Sequence, residues 1–326
     1  MIRTTRAPLH IAAVTHPGTA GKQNEDRLAV SSYQVGQNDP TLSVFAIVSD
    51  GIGGHRAGEV AAEMAVETIS HMVAQSDAHR PLEILDNAIQ VTSEAIASKA
   101  KDDNQRLGMG TTCACAWVIG NRLFTASVGD SRIYLLRNGG LMQLTVDHTW
   151  VQEAMEKGIL DPQQARNHPN MHVIRRYLGS SKTPQADIRM RLATDESDTQ
   201  SRSNQGLRLL PGDLLLLCTD GLTDVVDNAE IEPAVRGLDL RFAAQALVDL
   251  ACARGGKDNI TVVMLLVPWQ DKQFKQEVQT KKKRKYWLWA VWGLIGLVLL
   301  ALFITGLAWV VFHFVLPPGS IPSPPP

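Results

Sequence analysis

Residues 44–73 read VFAIVSDGIGGHRAGEVAAEMAVETISHMV: an apolar run of strand length, a turn at Asp50-Gly51, then a helical pattern. From Ala57 to Val73 apolar residues recur at three- and four-residue intervals, which lays one face of a helix on a core. Leu82–Lys101 repeats that pattern, so two helices follow the strand in succession. Further runs of strand length lie on either side, at His10–Thr15, Arg27–Tyr33, Leu42–Ser49, Thr111–Ile119, Arg122–Val128, Ser131–Arg137, Asp213–Cys218 and Ile260–Val267. Asn138-Gly139-Gly140, between IYLLR and LMQLT, predicts a hairpin, and Leu240–Arg254 predicts a third helix. This order does not alternate as βαβ units would. It predicts an α+β fold, an antiparallel sheet sandwich with flanking helices, over residues 1–268. Trp150–His172 and Asp195–Gln205 turn polar and irregular, and are expected to be surface insertions.

The chain has 326 residues, 44% hydrophobic and 20% charged, with 25 Gly and 16 Pro, which excludes disordered, collagen-like and disulfide-scaffold classes. Cys113, Cys115, Cys218 and Cys252 sit in apolar stretches and read as small core residues in a reducing compartment. The net charge of −1 is a cancellation. From Asp271 onward seven basic side chains face Asp271 and Glu277, a net of +5, while residues 1–270 carry 25 basic and 31 acidic side chains, a net of −6.

That boundary is also one of hydropathy. Trp287–Phe312 is a run of 26 residues without a charge, longer at ~1.5 Å per residue than a hydrocarbon layer of ~30 Å. We expect a basic linker over 269–285, a transmembrane helix over 286–316 and a Pro-rich tail over 317–326. Trp287, Trp289, Trp292 and Trp309 suit the two interfaces. The basic run 281–285 abuts the span and the tail has no charge, so the positive-inside rule keeps the amino-terminal bulk in the cytoplasm as a single-pass membrane protein. Beside a span, that run reads as a contact for anionic lipid rather than a nuclear signal.

Four carboxylates occupy related places. Asp50 ends VFAIVSDG, Asp220 ends LLLLCTDG, Asp130 follows FTASVG, and Asp258 sits in GGKDN before the run ITVVMLLV. One Asp-Gly is a turn. Four acidic residues at the ends of separate buried strands repel one another, and a hard divalent cation is the natural reason to assemble them; oxygen ligands without His or Cys pairing point to Mg²⁺ or Mn²⁺. GIGGHRAG has Arg56 where a dinucleotide loop needs its third glycine, His16 stands where a phosphate loop would begin, and HExxH is absent.

With these residues in view, the chain resembles the metal-dependent protein serine/threonine phosphatases of type 2C in their bacterial form. GKQNEDR (21–27), VSDGIGGHRAGEVAAE (48–63), GMGTT (108–112), SVGDSRIYLLRNGGLMQLTVDH (127–148), IRRYLG (174–179), LLPGDLLLLCTDGLTD (209–224) and GGKDNITVV (255–263) occur in the family's order. The resemblance implies two packed antiparallel sheets covered by helices, and two Mn²⁺ or Mg²⁺ ions. Asp50 would bridge them, with the Gly51 carbonyl on one ion and Asp220 and Asp258 on the other. Glu25 and Asp26 would hold waters behind them, and Asp130 with Asp220 would form a third, weaker site. Asn259 would support Asp258 or serve only as a turn residue. Water activated between the ions would attack phosphorus in line without a phosphoenzyme.

His55 is a candidate acid for the leaving alkoxide; it stands three residues beyond the place where relatives carry a catalytic histidine, and has orienting substrate or capping the helix near Ala57 as alternative roles. The arginine that family members carry five residues before Asp26 is replaced by Gly21. Lys22 is the neighbouring cation for substrate phosphate, without the guanidinium fork. The expected partner is a phosphorylated protein, with a membrane-associated Ser/Thr kinase or its targets as candidates. A phosphoprotein-binding pseudophosphatase is the alternative. The −6 unit lacks the basic groove of a nuclease, so no nucleic acid is expected.

Overall fold

The apolar runs become strands whose two faces are both covered. A computed structural model describes residues 1–53, 57–166 and 168–268. In chain order its elements are β1 (Ile2–Arg3), β2 (His10–His16), β3 (Arg27–Gln34), β4 (Leu42–Ser49), β5 (Gly51–Ile52), α1 (Ala57–Gln75), α2 (Pro81–Lys101), β6 (Gly110–Thr111), β7 (Cys113–Ile119), β8 (Arg122–Val128), β9 (Arg132–Arg137) and β10 (Gly140–Gln143). There follow α3 (Trp150–Glu156), α4 (Pro162–Arg166), α5 (Asp198–Ser203), β11 (Leu207–Arg208), β12 (Leu214–Cys218), α6 (Asp220–Thr223), α7 (Asn228–Val235), α8 (Leu240–Ala253) and β13 (Ile260–Leu266).

Two antiparallel sheets form, ordered β1-β3-β4-β7-β8-β11 and β10-β9-β12-β13-β2, with β5 and β6 as a small separate pair. Alternate residues of one strand serve different cores because side chains switch face at each step. In β4, Phe45 and Ile47 pack with Ala61, Ala65 and Ile69 of α1 and with Leu85 and Ile89 of α2. Val44, Ala46 and Val48 instead face the other sheet and share a core with Leu215, Leu217, Val263 and Leu265. In β12 the complementary set, Leu214, Leu216 and Cys218, packs with Ile231 and Val235 of α7 and Leu247, Val248 and Ala251 of α8. Three cores thus separate four layers, helices–sheet–sheet–helices, and this is why VFAIV and LLLLC show no polar alternation.

The hairpin between β9 and β10 turns on Asn138 and Gly139, both at positive φ (53° and 79°), as a two-residue loop requires. Expectation and structure differ in several places. The predicted strand Thr111–Ile119 breaks at Thr112, freeing Gly110–Thr111 to pair with Gly51–Ile52. The insertions expected to be irregular contain α3, α4 and α5, and α6 and α7 form where the sequence pattern predicts no helix. These helices are too short for periodicity to register. They start on caps instead: Thr149 accepts from the Gln152 amide, and Ser197/Gln200 and Asp227/Glu230 form capping boxes.

Among the described residues no helix is long and apolar enough to cross a membrane. The expected linker 269–285, span 286–316 and tail 317–326 lie outside the described residues, as does His55.

Candidate active site

Antiparallel register gathers the carboxylates. Arg27 at the start of β3 pairs with Ser49 at the end of β4, so Asp26 and Asp50 share one edge of the first sheet. Cys113 at the start of β7 pairs with Val128 at the end of β8, which brings Asp130 to that edge. In the second sheet Cys218 of β12 pairs with Val262 of β13, placing Asp220 and Asp258 together. Residues that follow β4, β8 and β12 and those that precede β3 and β13 therefore meet at one end of the sandwich.

The two Asp-Gly pairs are close approaches rather than turns. A Cβ on Gly51 would stand 2.4 Å from the Gly58 carbonyl carbon and oxygen, and one on Gly221 would stand 2.0 Å from the Asn259 carbonyl oxygen. Backbone lies on both sides of each contact, so neither can yield locally. Gly221→Ala is expected to cost about 3 kcal/mol or more, whereas Gly36→Ala should stay within about 0.5 kcal/mol, since nothing lies within 4 Å of that position. Urea unfolding of the two variants checks this; equal midpoints would refute it.

Asp50 is held by its backbone, its amide donating to Thr112 Oγ1 (3.0 Å) and its carbonyl accepting from the Thr112 amide (2.9 Å) and Thr111 Oγ1 (2.7 Å). Asn259 is buried, and its side chain serves the 17–25 loop: Nδ2 donates to the carbonyls of Pro17 (3.1 Å) and Gln23 (3.2 Å), and Oδ1 accepts from the Glu25 amide (2.8 Å). Its link to Asp258 is through its backbone amide, which donates to Asp258 Oδ1 at 3.0 Å.

A cleft of about 1260 Å³ is lined by Lys22, Glu25, Asp50, Gly51, Asp220, Asp258 and Asn259, together with Asp224, His172, Arg166 and Lys257. A second cavity of about 590 Å³ shares Asp220, Asp224 and His172 and is lined by Asp130. Asp220 thus belongs to both. Asp26 lies beneath, 2% exposed, accepting from Thr219 Oγ1 at 2.8 Å.

Two residues absent from the sequence reading complete the site. Ligand atoms of His172, Asp220 and Asp224 lie within 4.8 Å of one another, with His172 Nδ1 3.2 Å from Asp224 Oδ2. Among the described residues this is the set that converges so tightly; Asp258 faces the same cleft at greater remove. The signal for Asp224 is present in DGLTD, because it stands four positions after Asp220 and one helical turn puts both carboxylates on one face. Nothing local marks His172.

Crowding raises these acids. Burial first, then the charges of Asp220, Asp26 and Asp130, pushes Asp50 well above the carboxylate range, and its carboxyl is within hydrogen-bonding reach of Asp220. Burial followed by the Asp220 charge does the same to Asp130. Asp220 is raised, chiefly by burial. Burial lifts Asp26 to about 7 against hydrogen bonds from Thr261 and Thr219, and desolvation with the Asp220 charge lifts Asp224 to about 7. Three buried carboxylate oxygens among the described residues, Asp26 Oδ1, Asp130 Oδ1 and Asp220 Oδ1, have no hydrogen-bond partner. A buried acceptor without a donor is costly, and an all-oxygen set of carboxylates with such free lone pairs fits hard divalent cations.

Residues 18–250 match the family model of Protein phosphatase 2C. The chain belongs to this family. Among 2C relatives, the serine/threonine protein phosphatase PstP of Mycobacterium tuberculosis H37Rv is 36% identical over 218 residues, 67% of this chain and 39% of PstP. The match therefore spans well under half of that relative's length. The serine/threonine phosphatase stp of Listeria monocytogenes EGD-e is 34% identical over 262 residues, 79% of this chain and 95% of its own. The catalytic domain of PstP solved in complex with two manganese ions superposes with a TM-score of 0.65 at 32% identity, covering 80% of this chain and 99% of that one.

Proposed function

We propose that the protein is a divalent-metal-dependent phosphatase that hydrolyses phosphoserine and phosphothreonine on proteins, tethered to the membrane through residues 286–316 with its acidic unit in the cytoplasm. The observation that carries the catalytic part is the convergence of Asp50, Asp130, Asp220, Asp224 and Asp258 from both sheets, with buried oxygens left unpartnered at Asp130 and Asp220. Asp50, the Gly51 carbonyl, Asp220 and Asp258 would hold two ions, and Asp130 with Asp220 a third, weaker one. Mn²⁺ or Mg²⁺ bound there supplies Lewis acidity, lowering the pKa of water and offsetting phosphoryl charge.

The chain's own side chains supply the rest. Glu25 lines the cleft and Asp26 lies beneath it, accepting from Thr219 Oγ1, and both would hold waters behind the ions. Lys22, Lys257 and Arg166 line the cleft as the cations available to a phosphate in place of the arginine missing at Gly21. Arg166 is exposed and 3.7 Å from Asp227, so it is free to turn towards substrate. The departing alkoxide needs a proton, and His172, oriented by Asp224, is the described side chain placed at the rim to give it. A lysine in place of a bidentate guanidinium predicts a raised KM with the chemical step retained.

The full-length protein in detergent is expected to hydrolyse a phosphothreonine peptide with Mn²⁺ and to lose this in chelator. Tight phosphopeptide binding without turnover in saturating Mn²⁺ would instead establish the pseudophosphatase reading. The tether rests on the 26 uncharged residues from Trp287, and anionic lipid would meet 281–285. Deleting Tyr286–Pro326 should move the protein from the membrane to the soluble fraction; an unchanged distribution would end that part of the proposal.

A further inference from the structure

Among the ionisable side chains buried outside both cavities, three are bonded to one another: His148 at 2% exposure, Asp187 at 5% and Arg189 at 7%. Burying such groups is costly, and a buried ion pair is weak evidence of a stabilising purpose. Their hydrogen bonds lead to one residue. His148 brackets Gly129, its amide donating to the Gly129 carbonyl (2.9 Å) while its Nδ1 accepts from the Gly129 amide (3.0 Å). Because Nδ1 accepts from a backbone N–H, the ring proton is on Nε2, which donates to Asp187 Oδ2 at 3.0 Å. Asp187 is itself fixed, receiving Arg189 Nε (2.9 Å) and Nη2 (2.6 Å) and exchanging backbone hydrogen bonds with Ser127, two residues before Gly129. Gly129 has φ of 104°, and a Cβ there would meet Thr112 Cγ2 at 2.5 Å. The residue that follows it is Asp130, whose buried Oδ1 has no partner.

The His148 carbonyl points the other way. It accepts from the Arg175 amide at 2.7 Å, beside the Thr149–Ile174 bridge and the Trp150 amide's bond to the Val173 carbonyl at 2.8 Å. These contacts close the base of segment 149–174, which carries His172 and Arg166 into the cleft.

We propose that His148 is a positioning residue for the cation site at Asp130: by clamping both backbone polar groups of Gly129, one in each of its flanking peptides, it aims the Asp130 carboxylate, and it joins that aim to the base of segment 149–174. Asp187, held by Arg189, is what keeps the ring in the required tautomer and orientation. The proposal rests on the reading of Asp130 as a ligand of a third, weaker cation.

The test is a Mn²⁺ titration of the full-length protein by calorimetry, with bound Mn²⁺ counted by electron paramagnetic resonance, alongside thermal melting. Asn at 148 keeps an acceptor at the Nδ1 position; Gln carries its polar end at the Nε2 position and leaves the Gly129 amide without one. His148→Asn should therefore bind the weak Mn²⁺ near the wild-type affinity, while His148→Gln and His148→Leu weaken it by at least about tenfold, with the two tighter sites unchanged. If His148→Leu does not fold, the Asn and Gln pair still decides. Equal weak-site affinity in Asn and Gln variants, or weakening of all sites in proportion to lost melting temperature, would overturn the positioning role. Asp130→Asn separates the two readings: if it leaves the weak site intact, Asp130 is not its ligand and the proposal falls with that assignment. If Asp130→Asn abolishes the site while His148→Gln does not, only the role of His148 falls.

Discussion

Asp220→Asn is expected to lower Mn²⁺-dependent hydrolysis by about 10³-fold or more while leaving the fold at least as stable. Asp220 is the side chain common to the cleft and the second cavity, and it lies against Asp50 and within 4.8 Å of the ligand atoms of His172 and Asp224. The amide keeps the shape of the carboxyl but removes one negative charge from the ligand set and places an N–H₂ donor beside Asp50. A cation bound there loses an anionic oxygen, and the phosphoryl group loses the neutralisation that depends on it. The metal-free protein loses a repulsive partner for Asp50, so its melting temperature should hold or rise. The two effects thus have opposite sign, which separates a lost site from a lost fold. Melting with and without Mn²⁺ reads one and phosphopeptide turnover the other, with Asp249→Asn on the outer helix α8 as a variant that changes neither. Activity within tenfold of wild type would sink the assignment, as would a fall in metal-free stability that accounts for the lost turnover.

Much of the architecture was legible because both sheets are covered on both faces. VFAIV and LLLLC could be continuous only if alternate residues met different cores, and Phe45 against Val44 or Leu216 against Leu215 shows that division. The same strand ends located Asp50, Asp130, Asp220 and Asp258. What stayed hidden depends on contacts between residues far apart in the chain. Asp-Gly looked like turn chemistry, yet Gly51 and Gly221 are required by Gly58 and Asn259 pressing against them. Asn259 was read beside Asp258, whereas its side chain is spent on Pro17, Gln23 and Glu25. His172 reaches the cleft on a segment pinned at its base, and no local pattern announces such a return. The short helices α3, α5 and α7 were marked by caps, which carry information a periodicity search averages away.

Stability of the metal-free protein should fall as pH rises from about 5 to about 8, and Mn²⁺ should cancel or reverse the fall. Asp26, Asp50, Asp130, Asp220 and Asp224 are all raised in the folded state, Asp26 and Asp224 to about 7. Between the ordinary carboxylate range and those raised values the folded chain holds protons that the unfolded chain has released. Their contribution is complete at low pH and is lost as pH climbs through the folded values. Groups of opposite sign do not mask this window. Asp187 is buried, which alone would raise it, but hydrogen bonds from His148 and Arg189 hold it far below the usual range. Arg254 lowers Glu230 to about 2. Both lose their contribution only under more acid conditions. Cations compete with the same protons, so each proton released on binding tightens the apparent Mn²⁺ affinity about tenfold per pH unit. Melting curves in chelator and in Mn²⁺ across this range test both halves. A chelator curve that climbs with pH would contradict the raised carboxylates, and equal Mn²⁺ protection at both ends would show that the ion does not bind where those protons reside.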